Sequence, residues 1–267
     1  MSYSTDSQEE LMKRTLPLFI AAALLVSLAA LPALAAQAPA AAASSKEALD
    51  VLGKMVEAMG GRKVLEPIKD TTISGQLEID QAGMTITAPI TIYQKEPNKM
   101  RLDITIAEYN MSITQAYDGQ KGWFTNPQTG MTEEMPDFMT KEFARQALGS
   151  QTILDPKGAG VSYALKPKTA IEGKDYIVLE QTLPDGHKVT IFIDPATYLP
   201  FKTQTLSLDQ MGAEVEAESF SSDYRKVAGT MVAHSLRVLH NGVEAQKITI
   251  SSVTYNSNLD DAFFVLK

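Results

Sequence analysis

The sequence predicts a mainly β protein, an antiparallel meander with helical caps. Three observations carry that expectation. From Thr71 onward, short runs rich in Ile, Val, Thr and Tyr recur about every ten residues, with turn chemistry between them. Asp185-Gly186 and Asn241-Gly242 fall between such runs, where two-residue hairpin turns demand positive φ. Two stretches, one ahead of the runs and one among them, switch to helical spacing.

The chain opens with a segment that does not belong to the fold. Lys13-Arg14 precede an apolar run from Leu16 to Leu34 that closes on Ala33-Leu34-Ala35, the small-x-small pattern of a signal cleavage site. Residues 1–35 therefore read as a secretory signal, with the mature chain starting at Ala36 and the protein in the periplasm. The residues before Met12 are polar and unlike a signal's leading region, which points to Met12 as the biological start. The alternative is an inner-membrane anchor through residues 15–36, since the apolar run is nearly long enough to span a bilayer. Residues 36–43 are an Ala/Pro tract without periodicity, a flexible tether to a single domain over 44–267. No cysteine is present, which excludes disulfides and thiolate metal sites and leaves stability to a packed core.

The first element is a helix: Ser44-x-x-Glu47 has the form of a capping box, and Leu49, Leu52, Met55, Val56 and Met59 recur at helical spacing until Gly60-Gly61. Strands follow over 72–79, 84–95, 99–107, 110–117 and 121–125, and again over 161–170, 174–183, 187–194, 198–208, 213–226, 230–240 and 244–255. In "AYDGQKGWFTNP" (116–127), Trp123 and Phe124 stand between the turns Asp118-Gly119 and Asn126-Pro127. Neighbours on a strand point to opposite faces, so one of the two faces inward, as a core anchor or as pocket lining. Residues 134–149 form a second helix, opening at Pro136-Asp137 and closing at Gly149, with Phe138, Met139, Phe143, Ala147 and Leu148 as its apolar stripe. That stripe suits a plug for a sheet or a lid. In "KVTIFID", Val189, Ile191 and Ile193 share a face, yet Phe192 on the other is also apolar, so both faces ask for a cover.

Few chemistries fit this sequence. It has no Gly-x-Ser-x-Gly elbow, no His-Glu-x-x-His, no Gly-rich phosphate loop and no calcium loop. His187 reads as a solvated hairpin residue, and His234 and His240 share a strand face about 20 Å apart, too far for one metal. Glu214, Glu216 and Glu218 alternate along a strand and read as a solvated outer face, because buried unpaired carboxylates are costly. Without residues 1–35, 29 acidic residues stand against 22 basic ones, a net of −7 that disfavours nucleic acid and anionic surfaces.

Four stretches resemble the outer-membrane lipoprotein carrier and receptor superfamily, LolA/LolB. "IYQKEPNKMRLDI" (92–104) resembles its aromatic-x-lysine-x-proline strand pair, and "SITQAYDGQKGWFTNP" (112–127) its Asp-Gly turn with a Trp-Phe strand. "VTIFIDPATYLPFKTQ" (189–204) resembles a later hairpin and "NSNLDDAFFVL" (256–266) its Asp-x-x-x-Phe ending. The resemblance spans the mature chain. It implies an unclosed antiparallel β-barrel of about 11–12 strands, its concave apolar face capped by helices. It also implies a non-catalytic carrier whose partners are lipoprotein acyl chains or lipid and envelope membrane proteins, without cofactor or metal. Trp123, Phe124, Phe138, Met139, Phe143 and Phe192 are then the candidate cavity or lid residues. The rival is an envelope interaction module whose barrel is filled by its own side chains. One departure stands out: the family's carrier has an arginine before the turn proline that holds the lid, whereas this chain has Glu96 before Pro97, which argues against an identical latch. Receptor-type members carry lipid on a cysteine, which this chain lacks.

Overall fold

A computed structural model describes residues 43–81, 84–126, 129–208 and 213–266; the signal, the Met12 start, the anchor alternative and nearly all of the tether lie outside these described residues. Helix α1 (Lys46–Ala58) begins one residue later than the capping box suggests. Ser45, not Ser44, is the N-cap, its Oγ accepting the Ala48 N–H at 3.2 Å. The Ser44 hydroxyl is occupied elsewhere, accepting the Tyr163 N–H at 2.9 Å and so tying the helix start to the sheet. A short helix α2 (Arg62–Leu65), which the sequence pattern did not indicate, follows the two glycines.

Thirteen strands make one antiparallel sheet. The first six are β1 (Asp70–Gln81), β2 (Met84–Lys95), β3 (Lys99–Ile106), β4 (Met111–Tyr117), β5 (Gly122–Thr125) and β6 (Thr132–Glu134). The rest are β7 (Ser162–Ile171), β8 (Lys174–Thr182), β9 (Lys188–Ile193), β10 (Pro200–Leu208), β11 (Glu214–Val227), β12 (Thr230–His240) and β13 (Val243–Tyr255). In space the order runs from β6 down to β1, then β13 down to β7. Two runs of hairpins are thus sutured through the β1–β13 pair, the free edges are β6 and β7, and the barrel stays unclosed. Helices α3 (Asp137–Gln146) and α4 (Gln151–Leu154) carry the chain from one edge to the other.

The second predicted helix is therefore shorter than 134–149. Glu134 belongs to β6, where it pairs with Trp123, and the Met135 N–H bonds Gly122 O at 2.7 Å. Pro136 then opens α3, and Ala147 caps it. The turns also divide. Asn241-Gly242 is a two-residue hairpin with φ of 50° and 79° between the partners His240 and Val243. Asp185-Gly186 is not: Leu183 N–H bonds His187 O at 2.8 Å across a Pro184-Asp185-Gly186 loop. Pro184 fixes a negative φ at the first loop residue, so only Gly186, at 85°, can supply the left-handed step.

Directly paired residues share a face, so the register traces each face across strands. One line runs Ile92, Leu102, Gln115, Phe124, on the side of α3. The next runs Tyr93, Arg101, Ala116, Trp123, Glu134, on the opposite side. The chain's end packs on that outer side: Phe263 meets the Tyr93 ring at 4.8 Å and the Arg101 guanidinium at 4.3 Å. In the second half, Ile191, Thr203, Ser219, Val238, Gln246 and Ile79 form an inner line that crosses the suture. Its outer neighbour is Phe192, Lys202, Phe220, Arg237, Lys247, Glu78. Helix α1 covers the inner face of β7–β9 through Ala48, Leu52 and Met55 against Tyr163, Leu179 and Ile193.

Candidate functional site

The inner face of β1–β4 is paved with Leu77, Ile90, Ile104 and Ile113, all buried. Above it lies α3. Met139 and Phe143 are one helical turn apart and so share a face; that face also meets Phe124, Tyr117 and Met135. Gly122 permits this seat, because a Cβ there would lie 2.7 Å from the Met135 sulfur. Between helix and sheet remains a cavity of ≈ 270 Å³, lined by Leu77, Ile90, Ile104, Met139 and Phe143 among others.

A second cavity of ≈ 460 Å³ continues from it, with Glu142, Gln146, Ser207, His240 and Gln246 lining both. Its walls are mixed: Thr205, Ser207, Ser219, Gln181 and Gln246 bring hydroxyl and amide groups, set among Leu148, Leu183, Val189 and Val238. Arg145 on α3 bonds Glu142 and also Asp185 at 2.7 Å, clasping the helix to the β8–β9 loop. Burial pushes the Glu142 carboxyl above its usual range, with Arg145 opposing. Burial also works to raise Asp185, but the hydrogen bonds from Arg145 and the His187 N–H outweigh it and hold that carboxyl low. His187 is not a solvated hairpin residue: it is half-buried, 2.7 Å from the Thr205 hydroxyl, and its pKa is held below the usual range first by burial and then by the Arg145 charge. A third cavity of ≈ 450 Å³, lined by Ile68, Ile73, Leu236 and Ile250, lies beyond the α3–α4 corner.

That corner is tied by the residue before the turn proline. The Glu96 carboxylate accepts the Ser150 N–H at 2.7 Å, and Pro97 O accepts the Gly149 N–H at 3.0 Å. Gly149 has no room for a side chain, since a Cβ would fall 2.2 Å from a Glu96 oxygen. A carboxylate that takes one backbone N–H, its other oxygen buried without a partner among the described residues, thus stands where the resembled carrier has an arginine.

Of the six residues singled out from sequence, four gather at α3. Phe124, Met139 and Phe143 face its underside, and Phe138 is half-buried beside a side opening with Leu206 and Leu208. Trp123 does not join them: it lies on the outer face, half-buried, with the Lys121 ammonium 5.9 Å from its ring and no protein partner for its indole N–H among the described residues. Phe192 is also outward. Its cover is neither ligand nor helix but its own neighbours, Tyr176 and Val178 and the Lys202 ammonium 4.9 Å from its ring. Glu142, Arg145, His187 and His240 were missed. The alternation of Thr203, Thr205 and Ser207 with Gln204 and Leu206 held the only hint, since it places small polar residues on one face. Among the described residues no group of His, Asp or Glu could hold a metal, and no helix is long and apolar enough to cross a membrane.

The architecture is an open antiparallel sheet bent around an apolar cavity, with a helix across it. No family sequence model and no curated protein sequence matches the chain. Solved structures do. A LolA superfamily protein from Nitrosomonas europaea superposes with a TM-score of 0.58 at 15% identity, covering 82% of this chain and 97% of that one. A DUF1329 family protein from Desulfovibrio piger gives 0.57 at 18% identity over 84% and 98%. A domain assigned by name to outer membrane lipoprotein sorting, from Vibrio parahaemolyticus, gives 0.55 at 16% identity over 82% and 96%. The fold of this chain is LolA-like.

Proposed function

We propose that this protein is a non-catalytic periplasmic carrier, exported by residues 1–35, that holds the acyl chains of lipoproteins or of another apolar ligand. The observation that supports this reading is the apolar cavity between α3 and the inner face of β1–β4, lined by Ile90, Ile104, Met139 and Phe143. Together with the cavity that continues from it, it falls in the size range of small-molecule sites, about 300–1,000 Å³. Each methylene moved from water into such a space contributes about 0.8 kcal/mol, so a chain of modest length outweighs the cost of displacing the helix. Helix α3 is the element that must yield, since it roofs the cavity and is pinned at one end by Glu96 and along its length by Arg145. The name of the Vibrio neighbour and the LolA-like fold agree with this reading.

The test is titration of the delipidated mature protein with a fluorescent fatty-acyl probe, followed by competition with unlabelled chains. Saturable binding that Leu102→Asp, at a half-buried position of the cavity wall, weakens with folding intact by circular dichroism is expected. A wild type that binds no acyl probe removes the proposal.

A further inference from the structure

The first cavity accounts for a ligand's tail, and the second, joined to it, adds hydroxyl and amide groups that a tail does not use. We propose that this second cavity is a head-group site for an uncharged, hydrogen-bonding head, so that the ligand is an amphiphile with a neutral hydroxyl- or ester-bearing head rather than a fatty acid or an anionic phosphate. The proposal rests on the carrier reading above.

Continuity comes first. Gln146, Ser207 and Gln246 line both cavities, so a chain lying against Ile104 and Phe143 places its head among them. Four of the lining side chains, Gln146, Ser207, Ser219 and Gln246, make no side-chain hydrogen bond to protein among the described residues, and none is sealed from the cavity. Amide and hydroxyl groups offer both donors and acceptors, which a polyol or ester head can use at once. Such groups would be expensive to leave against an apolar ligand, because each hydrogen bond to water lost without replacement costs free energy. The second cavity therefore selects against a purely apolar occupant.

Charge decides the kind of head. Arg145 is the cation in the wall, and its guanidinium is already shared by Glu142 and Asp185, two carboxylates against one positive group. Lys141, on the same helix, lies at the side opening and is exposed. An anionic head entering here meets Glu142 in a partly desolvated space with no unpaired cation to compensate it. A neutral head meets no such penalty. The lowered pKa of His187 agrees, since a neutral imidazole adds no positive charge to the wall.

The experiment is displacement of the acyl probe from the mature protein by amphiphiles of one chain length: a monoacylglycerol, the fatty acid and the lysophosphatidate. The monoacylglycerol should compete at least about tenfold better than either anion, the scale of one unpaired charge in a partly wet site. Glu142→Gln removes the repelling carboxylate and leaves Arg145 with Asp185 alone, so it should raise the affinity of both anions several-fold relative to the monoacylglycerol, a gain that a misfolded variant cannot mimic. Equal affinity for all three heads, or preference for an anion, overturns the head-group site while the carrier reading survives. Failure of every amphiphile to displace or bind removes the carrier reading itself.

Discussion

The inner face of β1–β4 and the inner face of β10–β12 belong to one sheet, yet they are built on opposite plans. The first is paved with large aliphatic side chains, Leu77, Ile90, Ile104 and Ile113, while its outer face carries Thr72, Ser74, Thr87 and Thr91. The second mixes small and polar residues, Thr203, Thr205, Ser219 and Ala217, with Val215 and Val238 on its inner face, and puts Lys202, Phe220 and Arg237 outside. In the first region the interior side chains supply the stability. In the second, the interior is left roomy, and bulk has moved to an outer ladder in which Lys202 covers both Phe192 and Phe220 and Arg237 stacks on Phe220. The second region thus recovers on the outer face the packing it gives up inside, an arrangement that fits the proposed carrier role.

The sharpest break of that comparison is a pair of truncations. Ile104→Ala in the paved half should cost about 3–4 kcal/mol, because the residue is 2% exposed and its cavity cannot collapse between neighbouring strands. Ser219→Ala in the roomy half should stay within about 0.5 kcal/mol, since it removes a hydroxyl that makes no hydrogen bond to protein among the described residues. Denaturant midpoints of both variants, at unchanged slope, check this; a Ser219 variant as damaged as Ile104 would show that the second half is packed from within after all.

Next in size is Phe192→Ala. It should cost about 3 kcal/mol through lost contacts with Val178, Tyr176 and Lys202, although Phe192 lies outside the barrel. Acyl-probe affinity should not change. Lost binding at intact stability would restore Phe192 to the cavity, the place the sequence suggested for it.

A smaller effect belongs to the corner. Glu96→Ala removes the acceptor of the Ser150 N–H and should cost about 1–2 kcal/mol, concentrated at α3 and α4. Amide exchange should quicken around Gly149–Leu154 while β1–β4 stay protected, and the probe should associate faster if the corner holds the roof. Uniform loss of protection would make Glu96 a general support rather than a tie on the helices.

These contrasts show what the sequence could tell. Strands β2 and β12 have the limits the residues suggest, 84–95 and 230–240, because alternating apolar runs flanked by turn residues set both ends. β6 was not legible: three polar residues, Thr132-Glu133-Glu134, form a strand only because β5 offers an edge to pair with. The faces were harder still. "KVTIFID" is apolar on both sides, and "GWFT" places two aromatics back to back, so local pattern cannot choose which enters the barrel. Register with distant strands chooses, and that sends Phe124 in and Trp123 out. The second cavity escaped for a related reason: inward Thr and Ser residues look like a solvated face when the sequence is read one strand at a time. Arg145 and Asp185, forty positions apart, meet only once the helical crossover is folded.

The smallest effect is the most specific to the second region, and it concerns pH. His187 stands against Arg145 and Glu142 from α3, Asp185 from its own loop, the Thr205 hydroxyl from β10 and His240 from β12 across the same cavity. Burial and the Arg145 charge hold its folded pKa below the ordinary 6.5. As pH falls through 6.5 the unfolded chain therefore takes up this proton before the folded chain does, so stability present above that pH is lost until the lowered folded value is reached. Glu142 pulls the other way: its carboxyl is raised above 4.5, so its burial favours the folded state at low pH and that advantage fades as pH rises past 4.5. Asp185 acts only below its ordinary 3.8, where protonation dissolves its bond to Arg145. The His187 slope that sets in below pH 6.5 and the Glu142 slope that sets in above pH 4.5 run against each other, and wild type alone cannot separate them. His187→Gln can, because it keeps a hydrogen-bonding group toward Thr205 and removes the titration. The denaturant midpoint of wild type should fall relative to this variant as pH is lowered through 6.5, with no such change above it. A difference that stays constant with pH would mean that the imidazole is freely hydrated and that the second cavity is open to bulk water beside the Arg145–Asp185 pair.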